Sequence, residues 1–395
     1  MAGLPEIVPA DVALIDAEQS LREFAVALAG VDDFGDIEFE EGLRVLLRSL
    51  DDDAELSANG RQMLAGMVVT ALAGRLLAEA ALQANPEHRG VDLGAPLVII
   101  GLPRTGTTAL QGMLCADPAH QGLELWLAQN PRPRPPRAAW DAAPGYQRCV
   151  AMLAQMPASM RAIHEMQADA PDECWNLLRQ SFASVTFECA AGVSGYSAWW
   201  AAHDMRPAYR RWANNLRLIG MNHTDRVWVL KDPSHLFAAD ALLEAVPEAR
   251  IVMTHRDPAR SIPSVASLNA TARKVNDGVP DDVRLGAEQN ELWARGIERM
   301  MAVREVQPER FLDMHFADFR RDPLGQIRQI YEATDRTLAP EAAEAMQAWR
   351  RKHKAPAHRY DAARFGLDDD QIRERFAAYI ECFDIASEEG IGNAK

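Results

Sequence analysis

The sequence predicts an α/β fold: a parallel β-sheet flanked by helices, with a helical N-terminal region and a helical insertion. Three observations predict it. The runs Pro96–Ile100, Arg226–Leu230 and Arg250–His255 are short and apolar without alternation, as strands buried on both faces must be. Leu236–Val246 has helical spacing and lies between the second and third runs. A strand–helix–strand order implies parallel strands. The first ~90 residues carry apolar residues at helical spacing, with few β-branched runs.

Taken in order, Ala17–Gly30, Ile37–Asp51 and Ser57–Ala84 read as helices, with Asp16 and Ser57 as N-caps. Met63–Ala84 is the most apolar stretch. Arg75 and Glu79 interrupt it, so the expectation is an amphipathic or buried helix, too short and too polar to span a bilayer. Pro96–Ile100 is the first strand and Thr107–Ala116 the helix after it. Asn130–Arg137 (NPRPRPPR) must be extended. It reads as a connector with Arg132, Arg134 and Arg137 as surface charges. From Trp140 to Gly220 the chain is mainly helical and rich in aromatics, Trp175, Trp199, Trp200 and Trp212 among them. Phe311–Phe316 is a fourth strand and Ile372–Phe383 a last helix. The expected organisation is a helical region over residues 1–90, packed on an α/β domain over 91–395, with an insertion at about 140–220.

The 395 residues, 48% hydrophobic and 25% charged, suffice for a large core. A formal net charge of −15 argues against non-specific nucleic-acid binding, while leaving room for a local basic pocket. Five cysteines, an odd number without a CxxC pair, argue against a disulfide framework or a zinc ribbon. They read as small buried hydrophobes in a reducing cytoplasm. Met1–Glu6 lacks the basic start and apolar stretch of a signal peptide. The scattered His, Asp and Glu show no metal-ligand spacing, and no metal is expected.

The most informative segment is Gly101-Leu102-Pro103-Arg104-Thr105-Gly106-Thr107-Thr108, between the first strand and its helix. Glycine lets the backbone approach an anion closely. The N–H groups and dipole of the following helix then attract it. The hydroxyls of Thr105, Thr107 and Thr108 can donate to phosphate oxygens, and Arg104 can add a charge-assisted pair. The loop is P-loop-like, but Thr107 stands where the Walker A pattern needs lysine. No apolar strand ending in a magnesium-binding Asp follows. A nucleotide kinase or ATPase is therefore the alternative, and a non-catalytic nucleotide-binding module a second one.

PRTGTT after a buried strand resembles the loop that holds the 5′-phosphate of 3′-phosphoadenosine 5′-phosphosulfate (PAPS) in sulfotransferases. Arg104 replaces the lysine of the cytosolic members and looks like the bacterial, carbohydrate-modifying or tyrosine-modifying branches. Arginine clamps oxyanions but hardly releases a proton. The resemblance extends to Arg256, at the end of Ile251–Thr254, and Ser264, eight residues later on the next helix. It implies that these two hold the 3′-phosphate. Asp257 and Pro258 look like a helix start, and Arg260 and Ser261 are weaker candidates, with a surface ion pair as the alternative for Arg260. Lys231, at the end of the second strand, could offset sulfonate charge in the transition state.

The implied reaction moves a sulfuryl group to an acceptor hydroxyl, or an amine, by in-line displacement, releasing adenosine 3′,5′-bisphosphate. Glu124 and His235 are the two candidates for the general base. The resemblance supports Glu124 through the tyrosylprotein and trehalose enzymes, and His235 through the cytosolic ones. His164 and His358–Tyr360 resemble recurrent family segments, while His315 reads as a core position. The helical regions before Pro96 and between Trp140 and Gly220 are expected to form the acceptor pocket. Their Trp, Met and Leu content hints at a small, partly apolar acceptor such as a lipid, phenol or glycolipid. Nothing in the sequence fixes the oligomeric state.

Overall fold

The structure is a computed structural model, and it describes residues 6–155, 166–276, 281–353 and 360–388. The chain divides into two compact units. One comprises Met1–Asp92, Glu124–Thr224 and Thr271–Pro280; the other comprises Leu93–Leu123, Asp225–Ala270 and Asp281–Lys395. The N-terminal helices and the helices of the 140–220 region thus fall in one unit.

The second unit contains the sheet. Its strands are β1 (Leu97–Gly101), β2 (His120–Gln121), β3 (Val227–Lys231), β4 (Arg250–His255) and β5 (Phe311–His315). All pairings are parallel, in the order β2-β3-β1-β4-β5. The expected strand–helix–strand unit is present, but β1 lies between β3 and β4. In β1 every residue is buried, which is why its sequence does not alternate. Leu97 and Ile99 pack on one side with Leu110, Met113, Val229 and Val252. The chain leaves β1 for neighbours on either side, so the ends of β1, β3 and β4 flank a switch point where ligands of open α/β sheets gather. Gly101 pairs with Thr254, and Ile99 with Lys231, which puts the start of the loop Gly101–Thr108, Lys231 and Arg256 at the carboxyl ends of neighbouring strands.

The first unit is helical. Its helices include Glu18–Ala29, Phe39–Asp52, Ala58–Ala84 and Arg206–Gly220. Ser57 caps Ala58–Ala84 as expected, accepting from the Gly60 N–H. Asp16 does not cap the first helix: the N-cap is Ala17, without a side-chain bond. The Leu14 and Ile15 amides there bond Asp51 instead. Ala58–Ala84 corrects the membrane reasoning. Its 27 residues, with a window of mean hydropathy 1.5, are long and apolar enough to cross a bilayer. Yet 61% of that window is buried inside the protein, as in a core helix. Arg75, fully buried on it, is bonded to Glu38 and Asp36 and to the carbonyls of Phe34 and Gln180.

None of the five cysteines is in a disulfide. Only Cys149 and Cys174 are buried; Cys382 is exposed, which corrects the uniform burial expected. The single C-terminal helix expected over Ile372–Phe383 is two, Asp369–Arg375 and Ala377–Cys382.

Candidate active site

Close packing at the end of β1 dictates the first glycine of the loop. A Cβ on Gly101 would lie 2.3 Å from Thr254 Oγ1 and 2.6 Å from its carbonyl oxygen. Arg104 then turns into the left-handed region, at φ 71°, and Gly106 at φ 89° becomes the N-cap of the helix Thr107–Leu114. Gly106 gives that helix no side-chain cap. Its first amides therefore depend on solvent or a ligand for an acceptor, as an anion site requires.

The three threonines have separate fates. Thr105 is fully buried, its hydroxyl 2.7 Å from the Leu102 carbonyl and 2.5 Å from Thr254 Oγ1. It shapes the loop instead of presenting its hydroxyl to phosphate, a correction to the expectation. Thr107 is buried in the first turn. Thr108 is exposed, and its hydroxyl accepts from Lys231 Nζ at 3.0 Å. The lysine at the end of β3 is thereby fixed beside the loop, although the two lie 123 residues apart.

The two phosphate motifs also meet. Arg256 Nη1 donates to the Arg104 carbonyl at 2.9 Å. The guanidinium lies over the Phe316 ring, 4.3 Å from its centroid, and a Cβ on Gly106 would touch that ring. Arg104 itself is exposed, but surrounding protein and the charge of Arg256 both lower its pKa. An anion between two such arginines would relieve that repulsion. Ser264 is buried on the following helix, Pro258–Asn276. Asp257 starts that helix as expected, accepting from the Ala259 N–H at 3.0 Å. Arg260 forms an ion pair with Asp369, and Ser261 is fully buried.

One residue was not anticipated. Glu388 grips Arg256 side-on, with its carboxylate oxygens 2.8 Å from Nε and 2.9 Å from Nη2. Its backbone N–H is held by Asp257 at 2.9 Å. Nothing in the polar tail around Glu388 signalled this. The pair matters because a carboxylate occupies the bidentate face that a phosphate would use.

The two base candidates differ in setting. Asp232 caps the 3-10 turn Pro233–Phe237, accepting from the Ser234 amide and hydroxyl. That turn folds His235 into the core, fully buried, where desolvation pulls its pKa down to about 3. This candidate base therefore lies in the core. Glu124 belongs to the other unit, where it precedes the helix Leu125–Gln129 and forms an isolated bridge with Pro171. Its Oε2 accepts from Arg134 Nε at 3.1 Å and Nη2 at 2.9 Å. Arg134 is buried, not a surface charge, because the proline-rich segment packs: its N–H bonds the Ile219 carbonyl. Arg132 is half-buried, and only Arg137 is exposed as expected.

His315 is half-buried at the end of β5, not a core position. Tyr360 donates to the Arg260 carbonyl at 3.0 Å, while His164 and His358 lie outside the described residues. Among the described residues no group of three or more His, Cys, Asp or Glu could hold a metal ion.

A family model described as the sulfotransferase family matches residues 96–340. Two curated relatives, omega-hydroxy-beta-dihydromenaquinone-9 sulfotransferases Stf3 of Mycobacterium bovis and Mycobacterium tuberculosis, are 26% identical over 249 residues. The match covers 60% of this chain and 62% of theirs. The crystal structure of sulfotransferase STF1 from Mycobacterium tuberculosis H37Rv superposes with a TM-score of 0.85 at 38% identity, covering 93% of this chain and 100% of that one. Sulfotransferase STF9 from Mycobacterium avium superposes at 0.87 with 25% identity, covering 96% and 99%.

Proposed function

The chain belongs to the sulfotransferase family, and on that premise we propose that it moves a sulfuryl group from PAPS to an acceptor hydroxyl. The observation that carries this reading is the contact between Arg256 and the Arg104 carbonyl, which joins the two phosphate motifs at the ends of adjacent parallel strands. The residues present fit a donor with two separated phosphates. The loop Gly101–Thr108 offers uncapped helix amides for one, and Arg256 already holds a carboxylate in bidentate fashion where the other would bind.

When bound, PAPS supplies the sulfuryl group and leaves as adenosine 3′,5′-bisphosphate. The loop amides and the Thr107 and Thr108 hydroxyls hold the 5′-phosphate, and Arg104 clamps its oxygens without giving up a proton. Lys231, fixed by Thr108, neutralises charge that grows on the transferring group. Arg256 and Ser264 hold the 3′-phosphate. With these cations in place, the displacement as proposed needs no metal ion.

The proton of the acceptor goes to Glu124. What favours Glu124 over His235 is the burial of the imidazole, whose pKa of about 3 makes it a poor proton acceptor. The acceptor is proposed to be a partly apolar molecule of the lipid, phenol or glycolipid classes, in keeping with the omega-hydroxy dihydromenaquinone in the names of the curated relatives. Five thiols outside any disulfide support a reducing, cytoplasmic setting.

Calorimetric titration tests the donor. Adenosine 3′,5′-bisphosphate should bind, and Arg256→Ala should weaken it at least tenfold, ~1.4 kcal/mol. Binding of ATP in its place would overturn the reading in favour of a kinase or ATPase. For the base, Glu124→Gln should cut turnover by a hundredfold or more, ~2.7 kcal/mol, and leave product affinity unchanged. If neither it nor His235→Ala loses more than about tenfold, both assignments are wrong.

A further inference from the structure

The strand β4 ends at His255, the last residue paired with β5, and Arg256 follows it directly. The side chain of His255 is fully buried. Its Nε2 lies 2.8 Å from Asp313 Oδ1 and its Nδ1 3.1 Å from the Tyr379 hydroxyl. Asp313 is in turn held by both terminal nitrogens of Arg304, each at 2.6 Å. Phe383 stacks on the imidazole with centroids 4.3 Å apart, and the rings of His315 and Tyr379 also lie beside it.

Donor and acceptor roles in this chain follow from chemistry. Asp313, an exposed carboxylate whose pKa is held at about 2 against partial desolvation by its hydrogen bonds to His255 and Arg304, accepts only, so His255 must donate through Nε2–H. Burial, opposed by Asp313 and reinforced by His315 and Arg304, lowers the imidazole pKa and keeps the ring neutral. A neutral ring with Nε2–H has an accepting Nδ1. Tyr379 therefore donates to it, so the ring of the residue that directly precedes Arg256 is hydrogen-bonded through both of its nitrogens.

We propose that His255 and Tyr379 are positioning residues for Arg256, forming a relay from the Arg304–Asp313 pair that fixes the backbone from which this arginine reaches the 3′-phosphate. The relay rests on the assignment of Arg256 to that phosphate. It sets the direction of the side chain, while Phe316 and the Arg104 carbonyl fix its far end.

Two ligands separate positioning from general stability. Adenosine 3′,5′-bisphosphate engages Arg256; adenosine 5′-monophosphate does not. Tyr379→Phe removes one oxygen and keeps the packed ring. It should weaken the bisphosphate about tenfold, ~1.4 kcal/mol, and leave the monophosphate within about twofold. His255→Gln should act in the same direction. Equal losses for both ligands, or no loss for either, would overturn the relay. A wild-type protein that binds the two alike, indifferent to Arg256→Ala, would instead sink the phosphate assignment and the relay with it.

Discussion

A neutral imidazole locked in a core makes the protein acid-sensitive at one residue. The pKa of His235 falls from an ordinary 6.5 to about 3 on folding. Above pH 6.5 neither state binds the proton. Below it the unfolded chain binds first, so His235 costs stability as pH falls from about 6.5 to about 3. The slope is at most ~1.4 kcal/mol per pH unit. His235→Gln should flatten denaturant-midpoint curves across that window, and an unchanged slope would contradict the burial. Glu388 makes the opposite kind of prediction, about ligand rather than fold. Since it occupies Arg256, Glu388→Gln should tighten adenosine 3′,5′-bisphosphate about two- to fivefold, the scale of a half-exposed ion pair. Weaker binding would show that the carboxylate assists. At this scale the sequence was legible where a residue stands at the end of a buried run: Lys231 closes β3 and Arg256 follows β4. It was not legible for Thr105, whose hydroxyl is turned inward by Thr254, 149 residues away.

Elements were readable in proportion to how much of their surface is buried. β1, β3 and β4 announce themselves because both faces are covered. β2 is two polar residues, His120 and Gln121, paired with Val227 and Trp228, and has no apolar signal. The break at Phe376 between the last two helices has neither Pro nor Gly to mark it; its backbone departs from helix at φ −103°, ψ 17° while the ring stays buried. The loop glycines, by contrast, were legible and are strict. Gly101→Ala puts a methyl inside the β1–β4 contact at φ 143°, and should cost about 2 kcal/mol or more in chemical unfolding. Wild-type stability would mean the strands can part at that point.

The molecule as a whole combines two kinds of interior. The helical unit buries charge: Arg75 lies under the Phe39 ring, 4.3 Å from its centroid, and pairs with Glu38, whose pKa is raised by burial. Arg75→Met would strand that carboxylate and should destabilise the protein by ~3 kcal/mol, read as a lower unfolding midpoint. From the sequence Arg75 was only an interruption of an apolar stretch; its partners come from segments up to 105 residues away. In the sheet unit the central strand pairs only with segments far along the chain, and this shapes how the chain comes to life on the ribosome. β1 emerges early, yet its neighbours β3 and β4 end at Lys231 and His255. At ~5–20 residues per second, Leu-Val-Ile-Ile-Gly waits on the order of ten seconds or more for a partner strand. During that interval it is a sticky, unpaired β-segment. Refolding yield should therefore fall steeply with protein concentration and recover when a holdase chaperone is present, with nascent chains cut before residue 227 the most dependent on it.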